Sequence, residues 1–170
     1  MEWTGARYAD CPTVEVSTWI DAPVARVWSL VTDIGLMPTF SAELQATEWL
    51  DGADGPAKGA RFVGHNANPA LGNWSTTSYV VEYEAERLFT WAVENPDEPS
   101  ATWRFTAEAG PTGGTTLTQW ARIGPGRSGL SLAIDAMPDK EEKIVFVRLR
   151  EFERGMQHNL ASIKALAEHA

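Results

Sequence analysis

Cysteine is nearly missing: Cys11 is the only one in 170 residues, so no intramolecular disulfide can form and a reducing, cytoplasmic setting is the expectation. No hydrophobic run approaches the roughly 20 residues that a membrane helix needs. The opening Met1-Glu2-Trp3-Thr4-Gly5-Ala6-Arg7 has neither the basic nor the apolar region of an export signal. Neither membrane insertion nor export is expected. Basic residues are outnumbered, 14 Lys and Arg against 23 Asp and Glu. The net charge of -9 repels phosphate-rich polymers, so no nucleic-acid partner is expected. The densest charge run, Asp139-Lys140-Glu141-Glu142-Lys143, alternates in sign as a solvated helix start does. His65, His158 and His169 are far apart and lack a second ligand at metal spacing, and no Gly-x-Ser-x-Gly elbow occurs. No metal and no cofactor are expected.

What is present reads as one α+β domain spanning 1–170, with 1–12 as an N-terminal extension. Val14, Val16, Thr18 and Ile20 alternate with Glu15, Ser17 and Trp19, a strand with one buried face. Asp21 is placed to cap a helix with Pro23 in its first turn, whose apolar face is Val24, Val27, Trp28 and Val31. A second short helix is expected over Leu36-Met37-Pro38-Thr39-Phe40. Period two then returns, with strands near 43–51, 59–66, 73–83, 87–94, 101–109 and 114–122. Short turns rich in Gly, Pro, Asn and Asp separate them, too short for crossover helices, so the sheet is expected to be an antiparallel meander.

The tail turns helical. Val145, Leu149, Phe152, Met156, Leu160, Ile163 and Leu166 recur every three or four residues after Pro138, and about 30 residues at 1.5 Å give roughly 45 Å, enough to cross the whole sheet. Gly155 within it costs about 1 kcal/mol relative to alanine, and marks either a close approach or an idle surface position. A rigid rod in a curved sheet leaves space. With aromatic, small and polar groups on the facing strands, that space is expected to be an apolar, lined cavity.

Alternation fixes the candidate lining. If Phe62 points inward, so do Gly64 and Asn66, whereas Arg61, Val63 and His65 point out. The same counting turns Trp74, Thr76, Ser78 and Val80 inward, then Phe89, Trp91 and Val93, then Trp103 and Phe105, then Leu117 and Gln119. The candidate ligand-binding residues are Phe62, Asn66, Trp74, Thr76, Ser78, Phe89, Trp91, Trp103, Gln119 and, from the helix, Met156. Asn66, Thr76, Ser78 and Gln119 are the polar points able to bond a carbonyl or hydroxyl on an apolar guest. One bulge would exchange the faces and bring in His65 instead of Asn66. These two are the candidates for catalysis, His65 as a general base. Trp28 reads as core; Trp3, Trp19, Trp49 and Trp120 have no assigned role.

Gly124-Pro125-Gly126-Arg127-Ser128-Gly129 spells the dinucleotide fingerprint, but everything after it is helical and the βαβ unit that such a site requires is missing. It is expected to be a flexible link to a short helix over Leu130–Met137 that covers the cavity mouth.

The segment from Val14 to Phe40, with Asp21-Ala22-Pro23 and Val27-Trp28-Ser29-Leu30-Val31-Thr32-Asp33, resembles the opening of the polyketide cyclase/dehydrase-like, START-related (SRPBCC) proteins. Gly59-Ala60-Arg61-Phe62-Val63-Gly64-His65-Asn66, Trp74-Ser75-Thr76-Thr77 and Met137-Pro138-Asp139-Lys140-Glu141-Glu142 resemble a bacterial subgroup of it. The resemblance implies a helix-grip fold: a curved seven-stranded antiparallel sheet around a long C-terminal helix, with one or two short helices after the first strand and a short one before the last. It leaves function open between three readings. One is a carrier or sequestering protein for a small hydrophobic ligand such as a lipid, isoprenoid or polyketide. Another is a polyketide cyclase or dehydratase acting on a cavity-bound poly-carbonyl chain. The third is a chaperone-activator-like interaction module. A homodimer stays open.

Overall fold

Val14, Val16 and Ile20 turn toward the core along β1 (Thr13–Ile20), with Glu15, Ser17 and Trp19 on the other face. The period-two pattern thus survives in the computed structural model, whose described residues are 1–169. Pro23, not Asp21, occupies the cap of α1 (Val24–Val31), and no side chain bonds the free amides there. The Asp21 backbone N–H instead donates to Glu168 at 2.8 Å, which ties the start of α1 to the far end of the chain. A 3-10 turn at Ile34–Leu36 leads into the single turn α2 (Met37–Phe40).

The meander continues as β2 (Leu44–Trp49), β3 (Arg61–Asn68), β4 (Gly72–Glu84), β5 (Leu88–Val93), β6 (Ala101–Ala109) and β7 (Thr115–Ile123). β1 pairs antiparallel with β7, so the seven strands lie in the order β1-β7-β6-β5-β4-β3-β2. α1 and α2 therefore carry the chain from one edge of the curved sheet to the other. Both pass over its inner face on the way.

The link after β7 is not flexible, contrary to the expectation from its glycines. Gly126 N–H donates to the Pro99 carbonyl at 2.8 Å, and a Cβ at Gly126 would collide with the Glu98 carbonyl, so the loop is pressed against the β5–β6 turn. Tyr8 pins it from the other side, its hydroxyl donating to Gly126 O and lying 3.2 Å from Ser128 Oγ. Ser128 then caps α3 (Gly129–Ala136), accepting from Leu130 N–H. Residues 1–12 pack on the last helix through Met1 N to Glu153 at 3.4 Å, Arg7 to Glu142 at 3.5 Å and Trp3 edge-on to Phe146.

The last helix, α4 (Glu141–Glu168), has 28 residues, which at 1.5 Å each make about 42 Å. It lies across the inner face, chiefly over β1 and β7. Val145, Leu149, Met156, Leu160 and Ile163 are buried as the spacing predicts, but the stripe ends on Ala167; Leu166 is exposed. At 100° per residue the apolar line drifts, and the final turn presents its smallest residue where α1 crosses. Gly155 is an idle surface position, with nothing within 4 Å of a Cβ built there.

The space expected between rod and sheet is mostly filled. α1 and α2 project Val27, Trp28, Val31 and Phe40 into it, where they join Phe62, Val80, Phe89, Trp91, Phe105 and Leu117 from the sheet and Leu160 and Ile163 from α4 in one core. A second core lies toward the start of α4, where Val145, Leu149 and Met156 meet Val14, Ala121 and Ile123, and Leu130 and Ile134 of α3 close its margin. Interiors pack this way because each unfilled methylene forfeits dispersion contacts.

Candidate functional site

Register places the candidate residues on one face. Phe62 pairs with Ser78, Gly64 with Thr76 and Asn66 with Trp74 across β3–β4; Phe89 pairs with Phe105, Trp91 with Trp103 and Phe105 with Gln119 further along. Partners directly opposite share a face, and Phe62, Ser78, Phe89, Trp91 and Gln119 are buried there. The inner face of the sheet is thus an aromatic wall. Phe62 meets Trp91 at 5.9 Å between ring centroids, Trp91 meets Phe89 at 4.8 Å and Phe105 at 6.0 Å. Trp49, which had no assigned role, joins the wall edge-on to Phe62 at 5.4 Å.

Not all ten candidates meet at one point. Trp103 stacks on Phe152 of α4 at 4.7 Å, and Met156 is buried in the second core; both belong to the α4 contact. Asn66, Trp74 and Thr76 are only half-buried, at the β2–β4 end that α4 does not cover. His65 lies on the opposite face, exposed, with Nδ1 2.7 Å from Ser75 Oγ. A recess of about 310 Å³ opens at that end, lined by Gln45, His65, Asn66, Ala67, Asn73, Trp74 and Ser75.

The interior cavity is small. About 20 Å³ remains between Leu30 and Val31 of α1, Met37 and Phe40 of α2, Phe105 of β6, and Asn159 and Ile163 of α4. A single water needs roughly 10 to 15 Å³ on the same measure, so this space is about one water wide and does not hold an organic guest as it stands. The expectation of a ready-made hollow is therefore corrected, because α1 and α2 occupy it. None of the ten candidates lines the remaining cavity. Asn159 was missed, although one signal marks it: it sits at the i+3 position from Met156 and i−4 from Ile163, a polar residue inside an apolar stripe.

The polar points of the wall have little protein company. Asn159 Nδ2 donates to Gln119 Oε1 at 3.4 Å. Among the described residues Arg122 Nε is the sole sealed side-chain nitrogen or oxygen without a partner. Among the described residues the Asn66 amide and the Thr76 and Ser78 hydroxyls make no side-chain hydrogen bond, and since none of them is among the sealed atoms each borders adjoining space. No Asp, Glu, Lys, Arg or His of the described strands turns to the wall. Its one titratable group is Tyr83, whose hydroxyl accepts from Trp28 Nε1 at 3.3 Å.

Beside α4, Arg148 marks the rim. Its Nη2 lies 3.3 Å from both carboxylate oxygens of Glu43, in the turn between α2 and β2, and its guanidinium sits 4.8 Å from the Phe152 ring centroid. Asn68 Nδ2 at the end of β3 donates to the same Glu43 carboxylate at 3.3 Å.

The family model described as polyketide cyclase / dehydrase and lipid transport matches residues 12–168. The chain belongs to that family. Among solved structures, this polyketide cyclase/dehydrase family member is similar to a Polyketide_cyc-like protein of Corynebacterium glutamicum, 30% identical, covering 91% of this chain and 90% of that one with a TM-score of 0.66. The fold is shared with the Zhui aromatase/cyclase of Streptomyces sp. R1128, 15% identical over 92% of this chain and 93% of that one, TM-score 0.64. It is shared also with the di-domain aromatase/cyclase StfQ of the steffimycin pathway, 14% identical, TM-score 0.66, where 92% of this chain covers 50% of that one. No curated protein matches the sequence.

Proposed function

We propose that this polyketide cyclase/dehydrase family protein binds a small, mainly apolar molecule against the inner wall of its sheet, as a carrier or sequestering protein. The observation that carries the reading is the pairing of an aromatic wall with polar groups that lack protein partners. Ser78, 3% exposed, is the clearest of them. Its hydroxyl is not among the sealed atoms, so it borders space that a guest could share, and one hydrogen bond to it is worth about 0.5 to 1.5 kcal/mol. The family description, which includes lipid transport, supports the same reading.

Entry requires movement. α2 is one helical turn, and the cavity is bounded on its side by Met37, a flexible thioether, and by Phe40. Withdrawing this turn joins the small cavity to the wall at Phe105, and costs few backbone hydrogen bonds. Binding of this kind is expected to be slower than diffusion allows, because the competent state is a minor one.

Catalysis as a cyclase or dehydratase is the weaker reading. The wall holds no carboxylate, imidazole or amine among the described residues to move a proton, and His65 lies on the other face.

The test is native mass spectrometry of the purified protein, followed by tryptophan emission during titration with medium-chain acyl compounds. A co-purifying apolar molecule, or a saturable emission change abolished in Trp91→Phe, supports the reading. Unchanged emission and an empty mass spectrum across all acyl probes sink it.

A further inference from the structure

Gln119 is 3% exposed, on the aromatic inner face beside Phe105, and Asn159 faces it from α4. A carboxamide carries two N–H donors and a carbonyl acceptor. The bond from Asn159 Nδ2 to Gln119 Oε1, at 3.4 Å, uses one of each. What remains is the Gln119 NH2, the second N–H of Asn159 and the Asn159 carbonyl oxygen, and among the described residues no side-chain hydrogen bond takes any of them. Turning both amides over reverses the bond and exchanges the free donor and acceptor between the two residues. Either way the pair offers a donor beside an acceptor, which a group carrying both can match.

Its surroundings narrow the complement. Asn159 lines the interior cavity together with six apolar side chains and no charged one. A carboxylate placed there would lose its hydration with no cation to replace it, whereas a neutral group would not. We propose that Gln119 and Asn159 form the head-group site for an apolar molecule that ends in a neutral planar group bearing donor and acceptor on one carbon, a primary carboxamide or an un-ionised carboxylic acid. Such a group donates its N–H or O–H to the Asn159 carbonyl and accepts from the Gln119 amide through its own oxygen. The chain of the guest then runs from Phe105 along the wall, once Met37 and Phe40 have moved aside. This assignment rests on the binding function proposed above and adds the chemical class of the ligand. A single water would satisfy the same two groups and fits the cavity, so the test must separate a reading head from a hydrated polar pair.

Three probes with one chain length do so: dodecanamide, methyl dodecanoate and, at pH 8, dodecanoate. The amide has donor and acceptor, the ester only the acceptor, and the anion has no donor and a full charge. With the intact wild-type protein, displacement of a fluorescent acyl probe is expected to give an affinity for the amide about tenfold above the ester, one well-placed hydrogen bond being worth roughly 1.4 kcal/mol. The anion is expected to bind least. Gln119→Leu and Asn159→Leu are each expected to bring the amide-to-ester ratio close to one. The wild-type comparison stands without either variant if they fail to fold. Equal affinity for amide and ester, or a ratio that survives both substitutions, overturns the head-group assignment and leaves a water-filled polar pair. Failure of all three probes to bind overturns the binding function itself, and this assignment with it.

Discussion

Arg148 of α4 holds Glu43 of the α2–β2 turn through Nη2, 3.3 Å from each carboxylate oxygen, while stacking on Phe152 and bonding Glu151 at 2.7 Å. This pair joins α4 to the segment that closes the β2 side of the core. Because both side chains are partly exposed, screening by water limits its worth to about 0.2 to 1 kcal/mol. Glu43→Gln is expected to lower stability in urea by no more than that amount, with a loss that shrinks in high salt. Arg148→Ala is expected to cost more, since the guanidinium also covers Phe152. Equal losses would show that the stack contributes nothing.

Two glycines should respond in opposite ways to alanine. At Gly155 the backbone is helical and a Cβ meets nothing within 4 Å, so Gly155→Ala is expected to stabilise the protein by about 1 kcal/mol. At Gly114 a Cβ would run into the Trp19 ring and lie 2.9 Å from the Ile20 carbonyl oxygen, which is backbone and cannot step aside. Gly114→Ala is expected to destabilise by about 1 to 3 kcal/mol. Thermal melts of the two variants check both signs at once.

Glu168 closes the end of α4 against the start of α1. Its carboxylate accepts from Lys164 Nζ at 2.7 Å and from the Asp21 backbone N–H at 2.8 Å, and these bonds hold its pKa below the usual glutamate value. A carboxyl group whose pKa is lower folded than unfolded stabilises the fold at pH above the unfolded value, and the contribution is lost as pH falls through the folded one. The stability gap between wild type and Glu168→Gln is therefore expected to be widest near neutral pH and to close in the acid range below the ordinary glutamate pKa. An NMR titration of the Glu168 side chain should show the low midpoint, returning toward normal in Lys164→Met. A normal midpoint in the wild type would contradict the contact.

Period-two and period-3.6 patterns are local, and so the strands, the long helix and the inward face were all legible without coordinates. Parity held at Phe62, Asn66, Trp74, Thr76 and Ser78 because β3 is regular and the irregularity in β4 falls between Val80 and Glu82, beyond them. Trp49 escaped because β2 carries a bulge between Leu44 and Ala46, which hides the phase of the residues beyond it. The volume left inside was not legible. It depends on how deeply α1 and α2 lodge Trp28, Val31 and Phe40 beneath α4, a matter of docking between elements that no repeat in one element records.

Ser78 offers a way to ask whether the wall has been kept polar at the expense of stability. The residue is almost fully buried opposite Phe62 and Val93, and its hydroxyl makes no side-chain hydrogen bond among the described residues. Replacing it with alanine removes a hydroxyl that bonds no other side chain and opens a void no larger than one oxygen atom. Ser78→Ala is therefore expected to leave stability unchanged or to raise it by up to about 1 kcal/mol. Phe89→Ala, on the same wall and fully buried, is expected to cost about 3 to 5 kcal/mol. If the wall serves binding, Ser78→Ala should also weaken any guest that carries a hydroxyl or carbonyl, while affinity for a purely hydrocarbon guest holds. Denaturant melts and parallel titrations measure the two effects separately. A loss of more than about 1 kcal/mol in Ser78→Ala would mean that the hydroxyl supports the fold, and its standing as a free polar point on the wall would fall.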